Sequence, residues 1–254
     1  MKKILFTLLL APLLIAAQSS TESLIIENVM FSPLPGKTAE FEAGIADHNK
    51  KFHADGPYGV RIYNIMNGKN AGKYMNIMGP LPWSAIDGRP HSDAHNEDMS
   101  KNVNPYLSAE VEVNYMKMHP ELSNFSREFE INKVSVFMID IKRFKDMDFY
   151  DKVIKKVVKV YKEKKPDQLY GVYSNELQNM DGKDFGWVEF FDSSAWLGKE
   201  DSFPKDFEAV HGEGSFVQFL ADLEATTNGE DSEVWVLRKD LSGPNAKVAA
   251  ATGQ

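Results

Sequence analysis

No cysteine occurs among the 254 residues, which excludes a disulfide framework, a thiol nucleophile and a lipid-carrying cysteine. Basic charge is also short. With 29 Lys and Arg against 37 Asp and Glu the formal charge is −8, a balance that argues against a nucleic-acid partner, since a polyphosphate needs a basic face. Long apolar runs are nearly absent. The run over residues 4–15 is too short and wrongly flanked to span a membrane. No G-x-S-x-G elbow or phosphate loop is present, and the glycine-rich stretch 67–72 lacks the helix that a dinucleotide or phosphate site needs.

What is present begins with an ordered leader: Met1-Lys2-Lys3, the apolar run, small Ala16-Ala17, then polar Gln18-Ser19-Ser20. This is the layout of a secretory signal peptide over residues 1–17, with cleavage expected after Ala17 or Gln18. Removing it takes two lysines and leaves −10. The mature protein is expected to be periplasmic or secreted, with no membrane anchor.

The rest is organised by a repeat. Tyr58-Gly59-Val60 returns as Tyr170-Gly171-Val172, and the same offset carries Phe41, Ile45 and His48 onto Val153, Val157 and Val160. Each copy is followed by a polar turn and a second apolar run. In the first half the patterning predicts a strand at 24–31, a helix at 37–53, a hairpin at 58–66 and 73–78, an irregular helix up to about 107 and a strand at 108–117. The second half repeats the order: strand 130–141, helix 147–164, hairpin 169–177 and 185–191, helix 215–225, strand 233–238. The expected domains are therefore residues 24–126 and 127–240, each a ferredoxin-like βαββαβ unit, followed by a disordered tail at 241–254. Val60, Ile62 and Val172, with Val111, Val113, Val234 and Val236, are expected to face the helices. The opposite faces then carry Arg61, Tyr63, Glu112, Asn114, Tyr173, Asn175, Trp187, Glu189 and Trp235. So many large aromatics make a poor solvent face, so the two antiparallel sheets are expected to face each other as an intramolecular α+β barrel.

This element order, with PYGVRIYNIMNGKNAGKYMNIMGPLPW in the first unit, resembles the dimeric α+β barrel superfamily, including its NIPSNAP-like and antibiotic-biosynthesis-monooxygenase-like families, over residues 24–240. The resemblance implies a barrel whose interior holds a small ligand. It carries no catalytic signature, and the fold hosts monooxygenases, isomerases and haem proteins alike.

Within that frame the expected site is the space between the sheets. Arg61 would orient an anionic or enolic group, and Tyr63, Tyr173, Asn175, Trp187 and Glu189 would line an enclosure for a partly aromatic or apolar molecule. The corresponding function is small-molecule binding, with cofactor-independent oxygenase or isomerase chemistry as one form of it. His48, on the helix stripe where the repeat has Val160, is a candidate base or haem ligand. His91 and His95, four apart, suit two metal ligands, with Asp93, Glu97 or Asp98 adding a carboxylate, but their polar surroundings read better as a solvated loop, so no metal-ligand set is assigned. His95-Asn96-Glu97 also echoes His211-Gly212-Glu213. The alternatives are a haem or metal protein using helix histidines, or an interaction module with a filled barrel. The sequence leaves the cofactor unknown and is compatible with a monomer or a homodimer.

Overall fold

The computed structural model describes residues 22–125, 132–178 and 180–245. The expected signal peptide, the expected junction at 126/127 and residues 246–254 of the expected tail lie outside them.

The first half runs β1 (Leu24–Phe31), α1 (Thr38–Phe52), β2 (Val60–Ile65), β3 (Tyr74–Pro82), short α2 (Asp93–Asp98) and β4 (Glu112–Met118). The second runs β5 (Lys133–Ile141), a helical segment that starts at Asp146, passes through a π-turn at Tyr150–Ile154 and continues as α3 (Lys155–Lys164), then β6 (Tyr170–Asn175), β7 (Phe185–Phe191), α4 (Phe203–His211), α5 (Ser215–Thr226) and β8 (Thr227–Leu237). The strands close into one antiparallel barrel in the order β1-β3-β2-β8-β5-β7-β6-β4. The sheets expected to face one another are thus also joined edge to edge. Tyr63, Asn64 and Ile65 pair with Leu237, Val236 and Trp235 on one side, and Met116, Lys117 and Met118 with Asn175, Ser174 and Tyr173 on the other. Closure leaves no free strand edge in the barrel.

Burial separates three apolar layers. Met30, Tyr63, Ile65, Met75, Ile77, Val134, Val136 and Trp235 fill much of the barrel. Phe41 and Ile45 of α1 cover Ile25, Val60, Ile62 and Met78 on the outer face of the first half. Phe149, Val153 and Val160 cover Val172, Phe185 and Trp187 on the second, together with Phe207 and Phe219 from α4 and α5.

Several expectations change. The irregular helix before β4 is a chain of short turns around α2, so it covers less of the sheet, and Val111 and Val113 are exposed rather than helix-facing. Helix α4 was not anticipated. β8 begins at Thr227, six residues before its expected start at 233, because its polar start pairs with β5 through Gly229. The tail does not begin at Leu241: Leu241 packs under α1, the backbone N–H of Ile62 donates to Ser242 Oγ, and Asn49 Nδ2 donates to the Leu241 carbonyl.

Candidate functional site

Inside the barrel, Arg61 and Tyr63 point inward together with Tyr173 and Trp235 as expected, but the space among them is only about 60 Å³. That admits a few water molecules and no aromatic ring, since pockets for organic ligands start near 300 Å³. Arg61 Nη2 donates to the Gly79 carbonyl at 2.9 Å. Burial pushes the Tyr63 hydroxyl above its ordinary range, with Arg61 opposing the shift. Asn175 closes one end of the barrel, donating to Asn114 Oδ1 and to the Lys183 carbonyl, both at 3.2 Å. These residues read as a largely filled barrel core. The space between the sheets is thus far smaller than the ligand cavity expected there.

Trp187 and Glu189 face the opposite way. They pair across the hairpin with Val172 and Tyr170, and directly opposed residues share a face, so both lie under the helices. The residues β7 sends into the barrel are Gly186, Val188 and Phe190. One residue of register flips every side chain, and the composition of β7, bulky on both faces, gives no alternation to read. Trp187 stacks on Tyr170, while Glu189 accepts a hydrogen bond from Tyr161. Both line a cavity of about 710 Å³ between the second half of the sheet and its helices.

The convergence of polar groups lies in the first half. His48 is 2% exposed on the inner face of α1. His53 sits one residue past the end of α1, where its N–H caps the Asn49 carbonyl. His95 comes from α2, whose first turn is capped by Ser92 Oγ accepting from the His95 N–H. The three offer ligand nitrogens that all lie within 4.8 Å of one another, and His53 Nε2 and His95 Nε2 are 3.3 Å apart.

The partners of the other ring nitrogens fix the tautomers of His48 and His53. His48 Nδ1 is 2.9 Å from Asp98 Oδ2, and His53 Nδ1 is 2.9 Å from the Tyr58 carbonyl. A carboxylate and a carbonyl only accept, so each Nδ1 carries the proton and each Nε2 presents a lone pair. His95 Nδ1 is 3.3 Å from Asn96 Oδ1 and its Nε2 is 3.3 Å from the His53 Nε2 lone pair, so with no ion between the rings His95 donates to one of these two acceptors. Burial lowers the pKa of His53 to about 4 and also lowers that of His48, where the Asp98 hydrogen bond opposes it. Neutral imidazoles are the form a metal ion takes. Asp98 is itself fixed: burial would raise its carboxyl, but His48, Lys51 at 3.0 Å and Asn102 at 3.0 Å together hold it below the usual range.

The cluster opens onto a groove of about 530 Å³ whose floor is the outer face of the first half of the sheet. Val29, Phe31, Val60 and Met78 make that floor apolar, and Asn76, Glu27 and Arg89 add polar groups. His91 lines the groove but is exposed, with Nδ1 against the Arg89 carbonyl, and is not part of the cluster. His211 lies in the other half against the Lys156 carbonyl, so the echo of His95-Asn96-Glu97 makes no paired site. Sequence reasoning singled out His48 and His95 separately and missed His53. The available signal was that His48 and His53 flank one helix end, but only folding brings α2 over it.

The chain matches no protein-family model and no curated protein. Among solved structures it resembles a provisionally assigned monooxygenase of Fusobacterium nucleatum, at 11% identity over 85% of this chain and 93% of that one, with a TM-score of 0.58. A counterpart from Lactobacillus acidophilus gives 11% identity over 90% and 99%, with a TM-score of 0.54. An anthrone oxidase-like protein gives 10% identity over 92% and 96%, with a TM-score of 0.51. At such identities the likeness establishes the dimeric α+β barrel fold and nothing further. The NIPSNAP-like side of the resemblance rests on the sequence alone.

Proposed function

We propose that this protein holds one divalent transition-metal ion on His48, His53 and His95 and offers the ion's open coordination position to a small molecule lying in the adjoining groove. The observation that carries this reading is the convergence of three imidazoles, with the Nδ1 of His48 and of His53 already committed to Asp98 and to the Tyr58 carbonyl. Ligating histidines ordinarily have their second nitrogen held in this way, and the carboxylate–histidine pair raises ligand basicity. Three histidines with a vacant fourth position are the arrangement of a catalytic rather than a structural zinc centre, and the same donors suit cobalt, nickel, copper or iron. Bound there, the ion supplies Lewis acidity to an oxygen atom of the ligand. The chain's own residues supply the apolar floor and the positioning groups. The monooxygenase-like and anthrone oxidase-like fold relatives are in keeping with oxygenase chemistry on such a molecule.

Haem fits less well. The three imidazoles converge on one point instead of flanking a macrocycle. The larger cavity of the second half has no His, Cys or Met among its lining residues, and its Tyr161 is committed to Glu189.

Metal-stripped protein titrated with Zn²⁺ or Co²⁺ is expected to take up one ion per chain. His53→Ala or His95→Ala should each weaken binding by more than about 100-fold, since even outer partners are worth 10-fold or more. Failure to bind stoichiometric metal, or a triple alanine variant with native affinity, overturns the reading.

We also read residues 1–17 as a cleaved export signal and the two halves as descendants of one duplicated unit. The layout of the first residues supports the former, and the shared strand order β4-β1-β3-β2 and β8-β5-β7-β6 the latter. Mass spectrometry of exported protein should find a chain starting at Gln18 or Ser19. An intact Met1 on protein recovered outside the cytoplasm refutes the signal.

A further inference from the structure

The groove beside the histidine cluster has a second polar end, and its dimensions say what kind of molecule joins the two. Val60, Met78 and Glu27 stand in one row across three neighbouring strands, since Met78 pairs with Val60 on one side and with Glu27 on the other. Adjacent strands are about 4.8 Å apart, so the row spans roughly 10 Å. At its Val60 end lies His53, whose carbonyl accepts from the Val60 N–H. At its Glu27 end lies Arg89, paired with Glu27 and further held through Nε to the Ile86 carbonyl at 3.2 Å. Between them the wall is Val29, Ile45 and Met78.

The Arg89–Glu27 pair is asymmetric. The Glu27 side chain is 7% exposed and also accepts from Tyr115, whereas Arg89 is 39% exposed. The guanidinium is therefore the group a ligand meets, and its planar fork is shaped for a carboxylate. Asp87 on the same rim is the other acid facing this end. It is exposed to water, so solvent and salt screen its repulsion of an incoming anion. Beside the row, Asn76 Oδ1 is buried with no hydrogen-bond partner among the described residues and lines the same groove. A buried acceptor left unmade costs about 1–3 kcal/mol, a loss that a donor on a ligand or a water recovers.

Building on the metal reading, we propose that the groove takes a small hydroxylated organic acid. An oxygen at one end meets the metal ion on the histidines, an apolar or single-ring body lies over Met78 and Val29, and a carboxylate at the other end meets Arg89. Asn76 accepts from a hydroxyl of the ligand or from a water bound with it. The chemistry that recognises this molecule is a metal ion and an arginine held about one aromatic ring plus a short arm apart. A neutral molecule of the same shape leaves Arg89 unanswered.

The test compares 4-hydroxyphenylacetate with 4-(2-hydroxyethyl)phenol, which has the same ring and phenol but no charge. Binding is read by thermal shift and calorimetry on Co²⁺-loaded and metal-free protein, with the visible Co²⁺ band reporting the metal centre. In loaded protein the acid is expected to bind at least about tenfold more tightly than the alcohol and to perturb the Co²⁺ band. Arg89→Met should abolish that preference while leaving the band of the ligand-free protein unchanged, and Arg89→Lys should restore part of it. If the band is present and the two probes bind equally, or Arg89→Met leaves their ratio unchanged, the inference fails and the metal centre stands. If no band forms yet the Arg89-dependent preference persists, the carboxylate end stands and the metal reading fails with the metal-contacting end of the ligand. If neither the band nor the preference is seen, both are overturned.

Discussion

Asp98 shows how much of the candidate site is carried by residues that would not touch the metal. Its two oxygens divide their work: Oδ2 takes the His48 proton and Oδ1 takes Lys51 and Asn102. Replacing it by asparagine keeps the shape but removes the charge that orients and polarises His48. Asp98→Asn is expected to weaken Zn²⁺ binding by about 10–100-fold, measured by competition with a chromophoric chelator, with little change in the folded structure. Glu189 gives a contrasting residue-scale case. It is 6% exposed, and burial pushes its carboxyl above the usual range, with the Tyr161 hydroxyl offsetting part of this. The folded state therefore holds that proton more tightly than the unfolded chain. Below about pH 4 both states are protonated and the residue costs nothing; as pH rises past the unfolded value toward the folded one, ionisation increasingly favours unfolding. Glu189→Gln should accordingly raise Tm near neutral pH, with the gain shrinking toward zero as pH falls to about 4. A gain that stays constant with pH would place its origin elsewhere.

At the scale of elements, the site exists because α1 and the turns around α2 lie very close together. Gly44 permits this contact: a Cβ built on it would overlap the Asn102 carbonyl oxygen, a backbone atom that cannot swing aside. Gly44→Ala is expected to destabilise the fold by about 1–3 kcal/mol through overpacking. By moving Asp98 and His95 away from α1, it should also lower metal affinity by more than its loss of stability explains. Urea denaturation and metal titration on the same variant separate the two effects. The stripe Phe41, Ile45, His48 was legible in the sequence because a buried helix face repeats every three or four residues. An irregular helix before β4 was expected, but the place of α2 against α1 was not legible, because its polar residues show no stripe and its position depends on contacts with α1 50 residues away in sequence. The same limit explains β7. Its existence was plain from its composition, but the direction of Trp187 and Glu189 depends on register, and a strand bulky on both faces does not declare one.

For the whole molecule, barrel closure is the main structural fact. Trp235 sits at the seam, 3% exposed, with its indole N–H donating to Glu233 Oε2 at 2.8 Å and its ring near Tyr63. Its position on β8 bonds to β2 on one side and β5 on the other. Trp235→Ala should cost about 3–5 kcal/mol, visible as a large drop in the urea midpoint, while metal binding outside the barrel persists for as long as the chain is folded. The sequence by itself determined the order of the eight strands, the buried stripe of α1 and the inward direction of Arg61, Tyr63 and Tyr173, because these follow from local periodicity and from the need to bury aromatics. Only the tertiary structure decided that the barrel is filled, that the usable cavities lie under the helices, and that His48, His53 and His95 meet. Cavity volume depends on the sum of side chains from eight strands, and the meeting of three histidines depends on how a helix end and a distant turn pack, neither of which any local pattern encodes.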